Sequence, residues 1–433
     1  MPTLDIRPRR GRDLHALLAP ADVRRLGNGL TVCVVPHRRS PVVATAVVYR
    51  AGTRDEGDQE AGAAHFLEHM MFKGSAEFGP GEVDRETRAL GGSNNAYTSH
   101  EITLYYFTFA ADRWLRALDI EADRMAGLTL DPKEVASERQ VILEELAMYD
   151  GEPWDALNKE VRQTYFRHHP YGKPVLGTRE SLAGLDRRKL DDFHRRLYRP
   201  GGAVVMVVGD VDPDAAHVAV ADRFEGFSRR LPKRPELAHD PGPGGPLRIQ
   251  RRQGELARLL LALPSPPTTD PDHAALRLLL SILASGRASR LHRRLVDDDQ
   301  LCVWVNADVP ETLDPSCLGI AAELVPGAEP ERAEVALLAE LRRCRGVPPS
   351  AEEIDRAKQM IYADWLFGHE RVEQQTFLLG TALTLHDLEQ PFRYLEDLLN
   401  TGPDDLSRVA ARYLDVEAGS VVGWSLPESG AAS

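Results

Sequence analysis

Apolar residues fall in short blocks along the first half of the chain. "LTVCVVPH", "PVVATAVVYRAG", "ITLYYFTFAA" (102–111) and "AVVMVVGDV" (203–211) are dense in β-branched and aromatic residues. Each is short and bounded by turn formers or polar residues, so each predicts a β-strand. Between them, apolar positions spaced among polar ones predict helices over 61–72, 80–90, 112–126, 131–149 and 153–165. The second half repeats the theme with "ARLLLALPS", then "DHAALRLLLSILAS", then "CLGIAAELV", and a long helical stretch from about 350 to 385. Strands and helices alternate imperfectly, which favours α+β layers over a doubly wound parallel sheet. The similar order in the two halves predicts a duplicated unit.

Residues 229–246, "RRLPKRPELAHDPGPGGP", interrupt this pattern with five prolines and three glycines. Such a segment holds neither a helix nor a central strand. It predicts a linker between an N-terminal domain, 1–228, and a C-terminal domain, 247–433.

Composition sharpens the class only modestly. The chain has 433 residues, 42% hydrophobic and 27% charged, the profile of a globular protein with a large core. A net charge of −13 argues against nucleic acid as the main partner. Cys33, Cys302, Cys317 and Cys344 include no CxxC pair and read as buried reduced thiols. The N-terminal "MPTLDIRPRRGRDLHALLAP" lacks the apolar core of a secretory signal. The longest apolar run, "LRLLLSILAS" (276–285), contains Arg277 and falls short of the ~18 residues of a membrane helix. These features predict a cytoplasmic protein with no membrane partner.

The chemistry concentrates in "AAHFLEHMMFKGS" (63–75). On a helix, His65 and His69 stand one turn apart on one face, and their imidazoles can converge on one zinc ion at about 2.0–2.1 Å. Glu68 lies on the same side, placed to reach a water rather than the metal. A metal that acidifies water beside a carboxylate that takes its proton is the arrangement hydrolysis needs. Two histidines on a helix are equally compatible with an ordinary polar face, because two ligands do not hold a catalytic zinc. The helix predicted over 131–149 offers the missing carboxylate. Asp131 suits its N-cap, Pro132 its first position and Glu134 a capping box. Glu138 and Glu145 are seven apart and nearly eclipse, with Val141 between them, while Glu144 turns about 100° away. If this face meets the histidines, one glutamate ligates and the other supports it. The alternative is a solvated acidic face.

"HFLEHMMFKGS" followed by Glu145 resembles the inverted zinc motif of the pitrilysin, insulin-degrading enzyme and mitochondrial processing peptidase family. "LGGSNNAYTSHEITLYYF" (90–107) resembles the family's substrate-strand motif, and "SERQVILEEL" its second-helix motif. "HPYGKPVLGT" (169–178) and "LYRPGGAVVMVVGDVD" (197–212) match further landmarks, with Gly201 and Gly202 where asparagine is common. The resemblance implies that His65, His69 and Glu145 ligate one zinc ion, that Glu68 is the general base and that Glu138 is the supporting carboxylate. It implies that Asn95, Ala96 and Tyr97 form a strand edge that pairs with an extended peptide, a recognition mode that selects conformation more than side chains. It implies a zinc endopeptidase with two similar α+β domains forming half of a clamshell chamber.

One departure stands out. The family carries an Arg…Tyr pair in the opposite half, in a segment resembling "RLVDDDQLCVWV" (294–305). Here Val296 and Val303 occupy those positions, and neither donates a hydrogen bond. Arg293 and Arg294 lie nearby but out of register. Loss of an oxyanion donor typically costs ~10²–10³ in rate. The expectation is therefore a heterodimer, in which a homologous subunit supplies Arg and Tyr, rather than a homodimer. The alternative is a non-catalytic scaffold or core subunit of the same family. His168, His169 and His100 read as surface or packing residues, with His100 on a strand, and Asp297–Asp299 as a solvated turn.

Overall fold

The computed structural model describes residues 20–228, 234, 236–238 and 240–428. The N-terminal stretch expected to lack a signal lies, but for its last residue, outside the described residues. Positions 229–233, 235 and 239 of the expected linker also lie outside them.

Among the described residues, eleven strands form two sheets. They are β1 (Asp22–Arg25), β2 (Thr31–Pro36), β3 (Val42–Tyr49), β4 (Ser93–Thr98), β5 (Thr103–Ala110), β6 (Ala203–Gly209), β7 (Pro246–Arg252), β8 (Arg258–Ser265), β9 (Cys302–Asp308), β10 (Ser316–Leu324) and β11 (Ser420–Leu426). The helices up to the linker are α1 (Ala63–Met70), α2 (Glu82–Ala89), α3 (Leu115–Ala126), α4 (Pro132–Gly151), α5 (Pro153–Tyr165), α6 (Arg179–Gly184), α7 (Arg187–Leu197) and α8 (Pro213–Phe224). Beyond it come α9 (Pro271–Ala284), α10 (Arg290–His292), α11 (Pro330–Gly346), α12 (Ala351–Gly368), α13 (Val372–Leu385), α14 (Gln390–Asn400) and α15 (Pro403–Tyr413). No described helix is long and apolar enough to cross a membrane.

The first sheet has the order β1-β2-β6-β3-β5-β4. β2 and β6 run parallel and the other pairs antiparallel. β6, "AVVMVVG", is buried throughout because it is central and covered on both faces. One face, with Val43, Val47, Tyr105, Phe107, Val205 and Val207, packs with Phe66, Leu118, Phe193 and Val220 from α1, α3, α7 and α8. The opposite face, with Ala44, Val48, Leu104 and Met206, is covered by Val372 and Leu379 of α13. α13 comes close at Gly380, where a Cβ would stand 3.0 Å from both Met206 and Val48 side-chain atoms.

The second sheet has the order β7-β11-β8-β10-β9. Its pairs are parallel for β7–β11 and antiparallel for the rest. One face packs on α9, α11 and α15 through Leu261, Leu318, Leu279, Leu337 and Leu406. The other, with Leu260, Ala262 and Val421, is covered by Leu157, Val161 and Tyr165 of α5. Apart from β1, both sheets have one topology, a parallel pair followed by three antiparallel steps. This is the duplicated α+β unit expected from the order of elements.

The compact units are not the contiguous blocks 1–228 and 247–433. Ala147–Lys173 belongs to the second unit, and Asp364–Phe392 to the first. The physical reason is burial: α5 and α13 each hide an apolar face on a sheet built from residues distant in sequence. The predicted helix over 350–385 is in fact two, α12 and α13, broken where Arg371 is extended at φ −94° and ψ 140°. Gln375 secures the break by donating to the His369 carbonyl at 2.6 Å. β1, β7, β9 and β11 lie outside the predicted strands. His100 sits in the β4–β5 turn rather than on a strand, 2.6 Å from the Thr53 hydroxyl. All four cysteines are free and buried, and burial pushes the Cys33 thiol up to about 12.

Candidate metal and peptide site

α1 starts without a capping side chain. Gly62 holds φ +88°, and a Cβ there would stand 2.8 Å from the Leu176 carbonyl oxygen, so glycine is required. Glu56 supplies the cap from upstream, accepting from the backbone N–H of Gly62 at 3.1 Å and of Ala64 at 3.0 Å. A carboxylate is favourable at this positive end of the helix. Ala63, Ala64, Phe66, Leu67 and Met70 fix the helix rotation by burial. α4 starts as expected, with Asp131 accepting from the Lys133 N–H at 2.7 Å. Val135, Ile142 and Leu146 are buried on the side of the helix adjoining Glu138.

These two registers bring His65, His69 and Glu145 together, with one potential ligand atom of each within 4.8 Å of the others. A single oxygen of Glu145 lies 3.7 Å from Nε2 of His65 and 3.6 Å from Nε2 of His69. A tetrahedral ion with bonds of about 2.0–2.1 Å separates its donors by about 3.4 Å, so this spacing and donor chemistry fit zinc. Glu138 does not join the three. Its Oε1 lies 2.9 Å from Nδ1 of His69, and its Oε2 takes the Lys73 ammonium at 2.7 Å. That contact turns Nε2 of His69 toward Glu145. Nδ1 of His65 is buried without a hydrogen-bond partner among the described residues.

Burial, then the neighbouring His69, pulls the His65 imidazole down to about 3, which leaves it neutral. Burial pulls His69 the same way, but the hydrogen bond and charge of Glu138, with Glu145 and Glu68, outweigh it and raise it. Glu68 is raised, chiefly by burial, against a hydrogen bond from Thr98. Glu145 is raised by burial and eased by His69. Burial opposes ionisation of Glu138, yet His69 and Lys73 together hold it below the usual range.

The Thr98 hydroxyl donates to Oε2 of Glu68 and so ties α1 to β4. β4 is the edge of its sheet, with its outer side unpaired among the described residues. Asn95, Ala96 and Tyr97 all lie on it. They do not share a face. Ala96 and Thr98 pair with Tyr105 and Thr103, whereas Asn95 and Tyr97 pair with Tyr106 and Leu104 and take the opposite side of the sheet. The Ala96 N–H is occupied by Oδ1 of Asn95 at 2.9 Å.

Lys73 and Thr98 were not foreseen, though each had a signal. Lys73 continues the four-residue spacing of His65 and His69, and Thr98 continues the two-residue spacing from Ala96. In the second unit, Val296 is half-buried against the core and Val303 is 48% exposed. Val303 is skipped in the β9–β10 pairing, where Glu323 meets Trp304 and Leu324 meets Cys302. Arg293 is exposed, and Arg294 is engaged by Asp299 at 2.8 Å.

Residues 32–179 match the sequence profile described as insulinase (peptidase family M16), and 184–361 match the profile of the peptidase M16 inactive domain. An uncharacterized zinc protease of Mycobacterium bovis is 33% identical over 325 residues, 74% of each chain. The zinc protease PqqE of Helicobacter pylori is 27% identical over 418 residues, 93% of each. The crystal structure of a protease from Helicobacter pylori superposes with a TM-score of 0.89 at 27% identity, covering 95% of this chain and all of that one.

Proposed function

The chain belongs to peptidase family M16, the insulinase family, and from that premise we propose that it is a zinc-dependent endopeptidase. In this reading His65, His69 and Glu145 hold the metal, Glu68 is the general base and Glu138 is the supporting carboxylate. The observation that carries it is the convergence of three donors on one point beside the partly buried carboxylate of Glu68. Zinc, when bound there, supplies Lewis acidity that makes water acidic near neutral pH and polarises a carbonyl.

The protein's own groups do the rest. His65, kept neutral by burial, offers a lone pair without first losing a proton. Glu138 holds the proton of His69 on Nδ1 and frees Nε2. Glu68 is raised by burial, which brings its basicity nearer to working pH. Thr98 holds one Glu68 oxygen and leaves the other to take and return a proton. The open edge of β4 pairs with peptide backbone, and the incoming carbonyl displaces the Asn95 side chain from the Ala96 N–H.

We further propose that the working form is a heterodimer, in which a homologous subunit provides the Arg and Tyr donors and completes a chamber. Val296 and Val303 support this, since neither can stabilise an oxyanion. The same observation favours the second reading, a non-catalytic core subunit. Zinc content and cleavage of a fluorogenic peptide by the purified chain, with His65→Ala and Glu68→Gln as controls, separate these. Zinc lost in His65→Ala and cleavage lost in Glu68→Gln support the endopeptidase. Zinc-loaded protein inactive alone but active with a homologous partner supports the heterodimer. Protein that binds no zinc ends the enzymatic reading.

A further inference from the structure

The sheet face opposite the histidines carries a pocket that the proposed chemistry does not use. It has a volume of about 350 Å³ and is lined by Tyr97, Leu104, Tyr106, Phe377 and Glu373. Two of these are exposed aromatics, Tyr97 at 48% and Phe377 at 42%, with ring centroids 5.7 Å apart. A pair of aromatic rings in mutual contact and left open to solvent, one on a strand edge and one on a helix, offers an apolar surface at the mouth of the pocket. Glu373 lies one turn before Phe377 on α13 and has no ion pair among the described residues. The pocket therefore combines an apolar floor, two aromatic walls and one unbalanced carboxylate.

Its position identifies what enters. A peptide added along the free edge of β4 projects alternate side chains to opposite faces of the sheet. Those on the side of Ala96 and Thr98 meet Glu68 and the histidines. Those on the side of Asn95 and Tyr97 meet this pocket. We propose that Tyr97, Phe377 and Glu373 form a side-chain subsite for a lysine or arginine of the bound peptide. The alkyl stem lies across the exposed side of the paired rings, and the cation meets Glu373. Basic side chains do this readily, because their stems are apolar and their heads are attracted to aromatic faces and carboxylates. A neutral apolar side chain fills the floor but leaves Glu373 unanswered, and an acidic one is repelled. The inference rests on the strand-addition reading above, and it adds a charge preference to a recognition mode that otherwise selects only backbone conformation.

The test is direct binding by the zinc-loaded full chain carrying Glu68→Gln, which keeps the peptide intact. Three fluorescently labelled peptides share one neutral host and differ at a central residue, arginine, norleucine or glutamate. Arginine is expected to bind roughly tenfold tighter than norleucine, the range of a charge-assisted contact, with glutamate weakest. Adding Glu373→Gln should erase the arginine advantage and leave norleucine unchanged. Glu373→Lys should reverse the order and favour glutamate. Phe377→Ala should weaken arginine and norleucine together. Arginine no better than norleucine, an advantage that survives Glu373→Gln, or no binding of any peptide overturns the subsite. Zinc-dependent cleavage without the charge preference removes the subsite alone. The charge preference without zinc-dependent cleavage removes the peptidase reading alone.

Discussion

Replacing Glu138 with glutamine tests how α4 supports the donors without touching a proposed ligand. The substitution keeps the volume and an acceptor for the Nδ1 proton of His69. It removes the charge that Glu138 shares between His69 at 2.9 Å and Lys73 at 2.7 Å. Hydrogen bonds to charged groups contribute about 1.5–3 kcal/mol, and neutral ones about half as much. The loss is then about 0.8–1.5 kcal/mol, and at about 1.4 kcal/mol per decade zinc affinity should fall roughly 4- to 12-fold. Competition against a chromophoric chelator at pH 8 measures it. The same substitution makes a second prediction of definite sign. His69 is raised in the metal-free protein, with Glu138 the leading group that opposes burial. A proton competes with zinc as pH falls through that raised value. Without the Glu138 charge His69 is less basic, so proton competition sets in at lower pH and the variant's deficit should shrink on acidification. Affinity at pH 8 equal to the unmodified chain's within about twofold, with the helical signal intact, would refute the reasoning. So would a deficit that grows in acid.

Two further predictions concern the scaffold. Gly209 ends β6 at φ +146°, and a Cβ there would stand 2.2 Å from the Val42 carbonyl oxygen and 2.7 Å from the Val43 Cα. Because both neighbours are backbone of a central strand, Gly209→Ala should cost about 2–4 kcal/mol, read from the urea midpoint, and an unchanged midpoint would contradict this. Arg290, by hydrogen bonds of 2.7 and 2.9 Å, holds the Glu353 carboxyl down to about 2 from an ordinary 4.5. A depressed carboxylate contributes stability that is complete above pH 4.5 and is lost as pH falls toward 2. Glu353→Gln should therefore lower stability at neutral pH, by about 1–2 kcal/mol after allowing for solvent screening of the partly exposed carboxylate. It should also flatten the acid limb of the stability curve, and parallel limbs in the two proteins would refute the assignment.

Local chemistry was legible in the sequence where it follows a helical or strand period. The spacing of His65, Glu68 and His69, and of Glu138 and Glu145, is a property of helix geometry, and the structure brings His65, His69 and Glu145 together with Glu138 behind His69. Asp131 was readable as a cap because its side chain acts two residues away. The start of α1 was not, because its cap is the carboxylate of Glu56, six residues before Gly62. The break at Arg371 was hidden by helix formers on both sides, and only the packing of Val372 and Leu379 on the first sheet marks α13 as a separate helix. β7, "PLRIQRR", was missed because it lies at a sheet edge and is largely exposed, so its pattern carries little apolar signal. The exchange of α5 and α13 between units has no local signature at all. Both look like ordinary helical segments, and their partners lie far along the chain.

That exchange imposes an order on biosynthesis. When the ribosome has delivered residues through the linker, every strand of the first sheet has been made, yet one side still presents Ala44, Val48, Leu104 and Met206 without their cover. The covering helix, 372–385, follows more than a hundred residues later. At 5–20 residues per second this is a delay on the order of ten seconds. During that interval the nascent chain carries an adhesive surface as large as a helix footprint. The first sheet cannot finish on its own schedule, and its quality control depends on the last part of the message being translated.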